Sequence, residues 1–165
     1  MSIPDIELAE LVLRAARRLR RANAAELAGL PVNPHQARAL RVIARLEPVR
    51  MADLAERLHV VARSATDVVE FLVAGGWVER SPDPGDRRVR LLSLTVAGRG
   101  LLVEVEAARA RAATATLGAL PPQARAELSD ALGLVAGTRP AGPPGGGDDR
   151  PAPAGSPGPS QPVPD

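Results

Sequence analysis

Three arginines, Arg87, Arg88 and Arg90, follow a turn-forming run of proline, glycine and aspartate that ends at Asp86. A guanidinium group keeps its charge at physiological pH, and its planar fork matches a phosphate or the edge of a guanine base. On the tip of a hairpin, such side chains can reach DNA phosphates or an adjacent minor groove, where the electrostatic potential is most negative. The chemistry that these residues predict is contact with a nucleic acid.

A second set of polar side chains precedes this turn, in a segment with helical spacing. Its apolar residues recur at i, i+3, i+4 and i+7 and form one face: Ala65, Val68, Val69 and Leu72. The outward stripe that remains consists of Arg63, Thr66, Asp67 and Glu70, with Ser64 beside it.

Most residues of this stripe have chemistry that suits DNA. Arg63 could pair with a guanine edge, while Ser64 and Thr66 could bond a base or a phosphate. Asp67 could orient Arg63, four positions earlier, or accept from a cytosine amino group. The acidic residues Asp67 and Glu70 also repel phosphate, so an ordinary solvated helix face explains the stripe equally well.

The elements that must position these residues follow from the same spacing rules. A first short helix is predicted from the apolar face of Met51, Leu54, Ala55 and Leu58, and a link at 59–62 joins it to the second helix, which ends at Gly75-Gly76. Two extended runs, 77–80 and 87–94, flank the turn at 81–86 and predict a hairpin. Two short helices, a tight link and a hairpin together indicate a winged helix-turn-helix.

Further helices are predicted on both sides of this motif. Residues 5–24 carry a continuous apolar stripe, Asn33-Pro34-His35-Gln36 is a strong helix start, and Thr95 suits the N-cap of a helix of about 22 residues. Pro121-Pro122 begins the last helix. The first and the last two helices have apolar stripes that the small motif cannot cover, which favours a helical interface with a second copy of the chain.

We therefore predict a mainly α fold with a small β-hairpin wing. Residues 1–137 would form one winged helix domain, with a DNA-binding core at 33–95 and dimerisation helices at 5–24 and 95–137. From residue 138 to the end, 15 of 28 residues are proline or glycine, which predicts a disordered tail at 138–165.

Composition excludes several other functions. The chain has no cysteine, and its two histidines, His35 and His59, are isolated, so no zinc site is expected. We find no nucleophile motif, no phosphate-cradling glycine loop and no pair of carboxylates suited to catalysis, so neither an enzyme nor a cofactor is expected. Without a signal peptide or an apolar run long enough for a membrane span, a cytoplasmic location is the default. The net charge of +2 is too small to indicate DNA by itself.

Two stretches of the sequence resemble the MarR family of bacterial regulators. The first is Asp83-Pro84-Gly85-Asp86-Arg87-Arg88, which is similar to the family's wing signature D-x-R-D-R-R. The second is Leu94-Thr95-Val96-Ala97-Gly98, which matches L-T-x-x-G at the expected spacing. The segment Gly76-Trp77-Val78-Glu79-Arg80 supports the likeness, which extends in layout over most of residues 5–137.

The resemblance implies a homodimeric regulator, most often a repressor, that binds a pseudo-palindromic operator in double-stranded DNA. It also implies that a small aromatic compound acts as an effector and releases the DNA. Arg87 and Arg88 match the family's wing arginines, and Arg63, Ser64, Thr66 and Asp67 fall where its recognition helix reads the groove. The alternative is a winged-helix dimerisation or protein-interaction module without specific DNA binding; it is favoured by Gly85, which replaces the usual wing arginine, and by the acidic outward stripe.

Overall fold

A computed structural model of the chain describes residues 3–86 and 88–137. The described elements, in chain order, are α1 (Asp5–Leu27), α2 (Pro34–Leu46), β1 (Val49–Arg50), α3 (Met51–Leu58), α4 (Ala62–Ala74), β2 (Val78–Pro82), β3 (Arg90–Leu94), α5 (Val96–Leu117) and α6 (Pro122–Val135). The chain divides into two units, 1–120 and 121–165. The predicted tail at 138–165 lies outside the described residues. Within the described ranges, no helix is both long and apolar enough to cross a membrane.

The three described strands form one antiparallel sheet in the order β1-β3-β2. Val49 of β1 lies opposite Leu92, and β2 pairs with β3 from Val78 opposite Leu94 to Pro82 opposite Arg90. Strand β1 was not predicted, because two residues are too few to show an alternating pattern. Pro82 is accommodated because β2 is an edge strand, where a residue without an N–H group leaves no central ladder bond unmade.

The predicted bounds of the hairpin are wrong at both ends of the turn. Strand β2 continues to Pro82 and β3 begins only at Arg90, whereas the sequence predicted extended runs at 77–80 and 87–94. The shift has a local cause, because the Asp83 amide donates to the Val89 carbonyl at 3.1 Å and closes the turn there. The second strand is therefore shorter than the pattern of side chains indicated.

Helix α1 is longer than predicted, since it continues to Leu27 instead of ending at residue 24. Leu27 is buried in the core, and the Glu26 carboxylate accepts from Arg111 Nε of α5 at 2.6 Å. Helix α2 begins as predicted, with Asn33 and Gln36 forming a complete capping box. Tertiary contacts thus extend α1, while local chemistry alone fixes the start of α2.

The core of the first unit lies where the helices of the motif meet α2, α5 and the sheet. Its largest fully buried side chains are Leu27, Leu40, Ile43, Leu54, Leu72, Leu92, Val69 and Val105. On α5, most of the predicted apolar stripe is buried inside the chain: Leu101, Val105, Ala108 and Ala112. The expectation that α5 keeps an uncovered stripe is therefore wrong, because α1, α2 and β3 pack against it.

Helix α1 differs from α5, because its N-terminal half is exposed from Asp5 to Ala15. The exposed large apolar side chains there are Ile6, Leu8, Leu11, Val12 and Leu13. In the second unit, α6 buries none of its residues, and Leu134 and Val135 are 77% and 81% exposed. Both helices thus carry apolar surface that the single chain leaves in contact with water.

Candidate nucleic-acid interface

Helix α4 presents the polar stripe that the sequence predicted. Arg63, Ser64 and Asp67 are exposed, whereas Thr66 is half-buried and its hydroxyl donates to the Ala62 carbonyl at 3.0 Å. The Thr66 proton is therefore used inside the helix, and only its oxygen remains available as an acceptor for an external group. The backbone turns out of the helix at Gly76, whose φ of 73° lies in the left-handed region that glycine adopts without strain.

The Arg63 guanidinium makes no hydrogen bond or ion pair with any residue that the structure describes. In particular, Asp67 does not hold it, although the two residues are one helical turn apart and such a contact was one of the two roles considered for Asp67. Arg63 thus keeps all its donors for a partner outside the chain, and Asp67 keeps its carboxylate free.

The angle between α3 and α4 is set at the link between them. His59 ends α3 in the left-handed conformation, with φ of 54°. Arg38 of α2 donates to two carbonyl oxygens at this end of α3, that of Leu58 at 3.0 Å and that of Arg57 at 3.4 Å. These bonds tie α2 to the end of α3, next to the residues that begin α4.

Asp83 connects the turn of the wing to Arg50 of β1. Its Oδ2 accepts from Arg50 Nε at 3.1 Å and from Arg50 Nη2 at 2.6 Å, and its Oδ1 accepts from the Gly85 amide at 2.9 Å. The Gly85 amide and the Arg50 guanidinium lower the pKa of Asp83 below its ordinary value, so the carboxyl stays ionised. This interaction with Arg50 was not predicted, because nothing local in the sequence links positions 50 and 83.

The tip of the wing is shaped by Asp86, as the sequence indicated. Its Oδ1 accepts from the Arg88 amide at 2.9 Å, and its carbonyl accepts from the Val89 amide at 2.9 Å. The predicted contact residues Arg88 and Arg90 have exposed side chains. Arg87, the third predicted wing arginine, lies outside the described residues.

Thr95 and Gly98 join the base of the wing to the end of α4. The Thr95 hydroxyl accepts from the Gly98 amide at 3.0 Å, which caps α5, and donates to the Gly76 carbonyl at 2.7 Å. A Cβ atom at Gly98 would collide with the Trp77 carbonyl, so only glycine permits this close approach. Trp77 itself is half-buried and packs against Phe71, with ring centroids 5.9 Å apart. These contacts explain why the L-T-x-x-G pattern stands at this place.

Glu47 forms a second contact that holds the wing in place, and the sequence did not predict it. It follows α2, accepts from the Leu94 amide at 2.7 Å and forms an ion pair with Arg99. Burial raises the pKa of Glu47, but the bonds from the Leu94 amide and the Arg99 guanidinium outweigh this, and the pKa falls below its ordinary value. The end of the hairpin is therefore fixed to α2 by a charged group.

The two predicted sets of contact residues thus lie on consecutive elements, α4 and the wing. Within the described parts of the chain, no hydrogen bond or ion pair joins Arg63, Ser64 or Asp67 to Arg88 or Arg90. The described members of the two sets are exposed apart from the half-buried Thr66, while the residues that support them are bonded internally. An arrangement of this kind can contact an extended polyanion at two places.

Comparison with known proteins agrees with this geometry. The model of the MarR family matches residues 29–89. No match is found among curated proteins. Among solved structures, wild-type MarR from E. coli in its apo form is similar, with 26% identity, a TM-score of 0.70, and coverage of 82% of this chain and 98% of that one.

Two further solved structures carry a ligand. A mutant of E. coli MarR, complexed with operator DNA, is 26% identical with a TM-score of 0.67, and the match covers 79% of this chain and 94% of that one. A Mycobacterium tuberculosis MarR family protein, complexed with p-aminosalicylic acid, shares the fold at 24% identity with a TM-score of 0.65, over 78% and 98% of the two chains.

Proposed function

We propose that this chain, which belongs to the MarR family of winged-helix transcription regulators, is a homodimeric repressor that reads a pseudo-palindromic operator with α4 and its wing. The observation that carries the proposal is the exposed face of α4 at Arg63, Ser64 and Asp67, whose side chains have no partner among the described residues. A related regulator of similar fold was solved on operator DNA. Membership in a family of transcription regulators also supports the interpretation that the chain is not an enzyme.

In this proposal, α4 enters the major groove and supplies the base contacts. Arg63 lies in the first turn of α4, the part of a recognition helix that meets base edges. Its free guanidinium would bind a guanine through two hydrogen bonds, and Ser64 would bond a base or a phosphate beside it. Asp67 would accept from a cytosine amino group, which gives an acidic residue a place in the groove.

The wing supplies contacts that do not depend on sequence. Arg88 and Arg90 would bind phosphates or the minor groove beside the site of α4, together with Arg87. Asp83 and Arg50 hold the tip side of the hairpin, so little conformational entropy would be lost when the wing meets DNA. This internal ion pair favours a wing that keeps the same position with and without DNA.

Dimerisation is supported by the exposed apolar side chains on α1, such as Leu11 and Val12, and by those on α6. A large apolar face exposed to water is unfavourable, and a second copy of the same chain would bury it. A twofold dimer would place two copies of α4 on two half-sites, which requires an operator with the same symmetry.

Release by a small aromatic effector is part of the proposal, since a protein of the same fold was solved with p-aminosalicylic acid. A cavity of about 420 Å³ lies beside the contact face, with His35 and Arg38 on one side and Ser64 and Asp67 on the other. A ligand there would touch α2 and α4 together, and could therefore change the position of α4. The chain has one tryptophan and one phenylalanine, so an aromatic ring would be held by arginine and aliphatic side chains more than by aromatic stacking.

The test is fluorescence anisotropy of the purified protein with DNA from upstream of its own gene and with a scrambled duplex, over a salt series. The proposal expects a preference for the upstream DNA of about 100-fold or more, with affinity that falls steeply with salt because bound phosphates release counterions. Equal, weak binding to both duplexes calls for a genome-wide selection of binding sites. If that selection also yields no preferred sequence, the alternative holds, in which the fold serves as an interaction module. No binding at low salt would exclude a DNA-binding regulator.

A further inference from the structure

A cleft of about 320 Å³ lies between α2 and α3, and Arg38, which lines it, also lines the cavity beside Ser64 and Asp67. Six residues line it: Arg38, Arg41, Val42, Arg45, Leu46 and Arg57. Four of the six are arginines, and none is acidic. The two apolar residues, Val42 and Leu46, lie among them on α2.

Two of the four guanidinium groups are held in place by the protein. Arg38 donates to the carbonyl oxygens of Leu58 and Arg57, and these neutral acceptors leave its charge uncompensated. Arg41 Nε donates to Glu106 at 2.6 Å, but Glu106 also accepts from Arg109 at 2.7 Å. One carboxylate is thus shared by two arginines, and the cleft keeps a net positive charge.

The other two guanidinium groups, those of Arg45 and Arg57, make no hydrogen bond or ion pair with any described residue. Each lies in the last turn of its helix, where a cation interacts favourably with the carbonyl end. That interaction can stabilise each of these two arginines separately. It does not explain why four arginines line the same concave site. Arginine cannot lose its proton to relieve the repulsion. Asp53 and Glu56 line the adjoining cleft together with Arg57, but neither forms an ion pair with Arg57 in the described structure, so an anion from outside the chain can still neutralise these arginines.

We propose that this cleft binds a small organic phosphate. Two free guanidinium forks suit a group with two negative charges and several oxygen atoms, whereas a monocarboxylate would neutralise only one of them. The apolar side chains of Val42 and Leu46 would contact the carbon part of such a ligand. The volume falls in the range of small-molecule sites, and the Arg41 side chain is only 18% exposed, whereas Arg45 and Arg57 are exposed.

The test is isothermal titration calorimetry of the full chain with pyrophosphate, at about 150 mM salt, where long-range attraction to surface charge is largely screened. The wild-type protein binds one pyrophosphate per chain, and Arg45→Gln with Arg57→Gln weakens this at least tenfold, as expected for the loss of charge-assisted bonds. The matched control is Arg88→Gln with Arg90→Gln, which removes the same charge from the wing and leaves pyrophosphate binding unchanged. The guanidinium groups of Arg45 and Arg57 make no bond within the described chain, so their replacement should not disturb the fold. If the double variant is misfolded, Arg45→Gln alone tests the same site and should show an intermediate loss of pyrophosphate affinity.

In DNA binding, the two double variants should show the opposite pattern. The cleft variant keeps the affinity and the salt dependence of DNA binding, whereas the wing variant loses both in part. The proposal is overturned if wild-type protein shows no saturable binding, if both double variants bind pyrophosphate like wild type, or if benzoate binds as tightly as pyrophosphate in the same cleft. A loss of DNA affinity in the cleft variant that equals the loss in the wing variant also overturns it, because the four arginines would then belong to the DNA surface.

Discussion

At the level of single residues, Arg63 and Glu47 have opposite tasks. Arg63 has no partner among the described residues and is available to an external ligand, whereas Glu47 is bonded to the Leu94 amide and to Arg99 and is unavailable. The first is a candidate for recognition, and the second holds the structure that presents it. Substitutions at the two positions should therefore give different kinds of defect.

Replacement of Arg63 by alanine should weaken operator binding by about 1–3 kcal/mol and relax the preference at one base position, because a bidentate contact to guanine is lost. The measurement is anisotropy against a set of operators that each differ at one base pair. Arg14→Ala on the exposed part of α1 is the control and should leave the profile unchanged. Equal losses on specific and random DNA would contradict a base-reading role for Arg63.

Replacement of Glu47 by glutamine should lower the free energy of unfolding at neutral pH by about 1–3 kcal/mol, since bonds to a charged acceptor are weakened. The folded-state pKa of Glu47 lies below the ordinary value of 4.5, so its stabilising contribution is present above that value. It is lost as the pH falls through the folded-state pKa. Urea unfolding from neutral to acid pH should therefore show wild type and variant converging at low pH, and a constant difference would refute this role.

At the level of elements, the wing is a short hairpin that depends on contacts at both ends. Asp83 and Arg50 fix its tip side, while Thr95 and Gly98 fix its base to the end of α4. A two-stranded hairpin alone is marginally stable, so these contacts and the pairing with β1 keep it in one position. The sequence predicted the hairpin from its turn residues, which are a local signal. It did not predict the contacts that hold the hairpin in place, because these join residues far apart in the chain.

Replacement of Asp83 by asparagine should loosen the wing without unfolding the protein. Asparagine can accept from the Gly85 amide but cannot form the ion pair with Arg50, so binding to operator and random DNA should weaken together while base preference is kept. The measurement is anisotropy on both duplexes beside thermal unfolding. A changed base preference would indicate that Asp83 acts through α4 instead.

Replacement of Arg88 and Arg90 by alanine should weaken binding to all DNA sequences. Each phosphate contact that is lost should reduce the slope of log affinity against log salt by about 1. A salt series on wild type and variant measures this slope directly. An unchanged slope would mean that these two arginines do not meet phosphates.

At the level of the whole molecule, the single chain leaves apolar surface on α1 and α6 exposed to water, while most of the apolar stripe of α5 is buried. Leu11 and Val12 are 43% and 40% exposed, on a half of α1 where every residue is exposed. Burial of such side chains is worth about 25 cal/mol per Å² of apolar area, which favours association with a second copy. The proposed dimer thus depends on α1 more than the sequence pattern alone indicated.

Replacement of Leu11 by arginine should shift the protein from dimer to monomer, because a charge in an apolar interface would be buried without a partner. Sedimentation equilibrium measures the mass, and operator binding should weaken with it, since one monomer reaches a single half-site. Val96→Glu, at a side chain that is 90% exposed, is the matched control and should remain dimeric. A Leu11→Arg protein that stays dimeric would place the interface elsewhere.

The sequence by itself determined the elements whose cause is local. The capping box at Asn33, the polar stripe at Arg63 and the turn at Asp86 depend on residues within a few positions of each other, and all three are found. The tertiary structure decided which distant residues meet. Arg50 and Asp83 are 33 positions apart, Glu47 and Leu94 are 47, and Arg41 and Glu106 are 65. No spacing rule in one sequence can pair such residues, because only the packing of α2, α5 and the sheet brings them together.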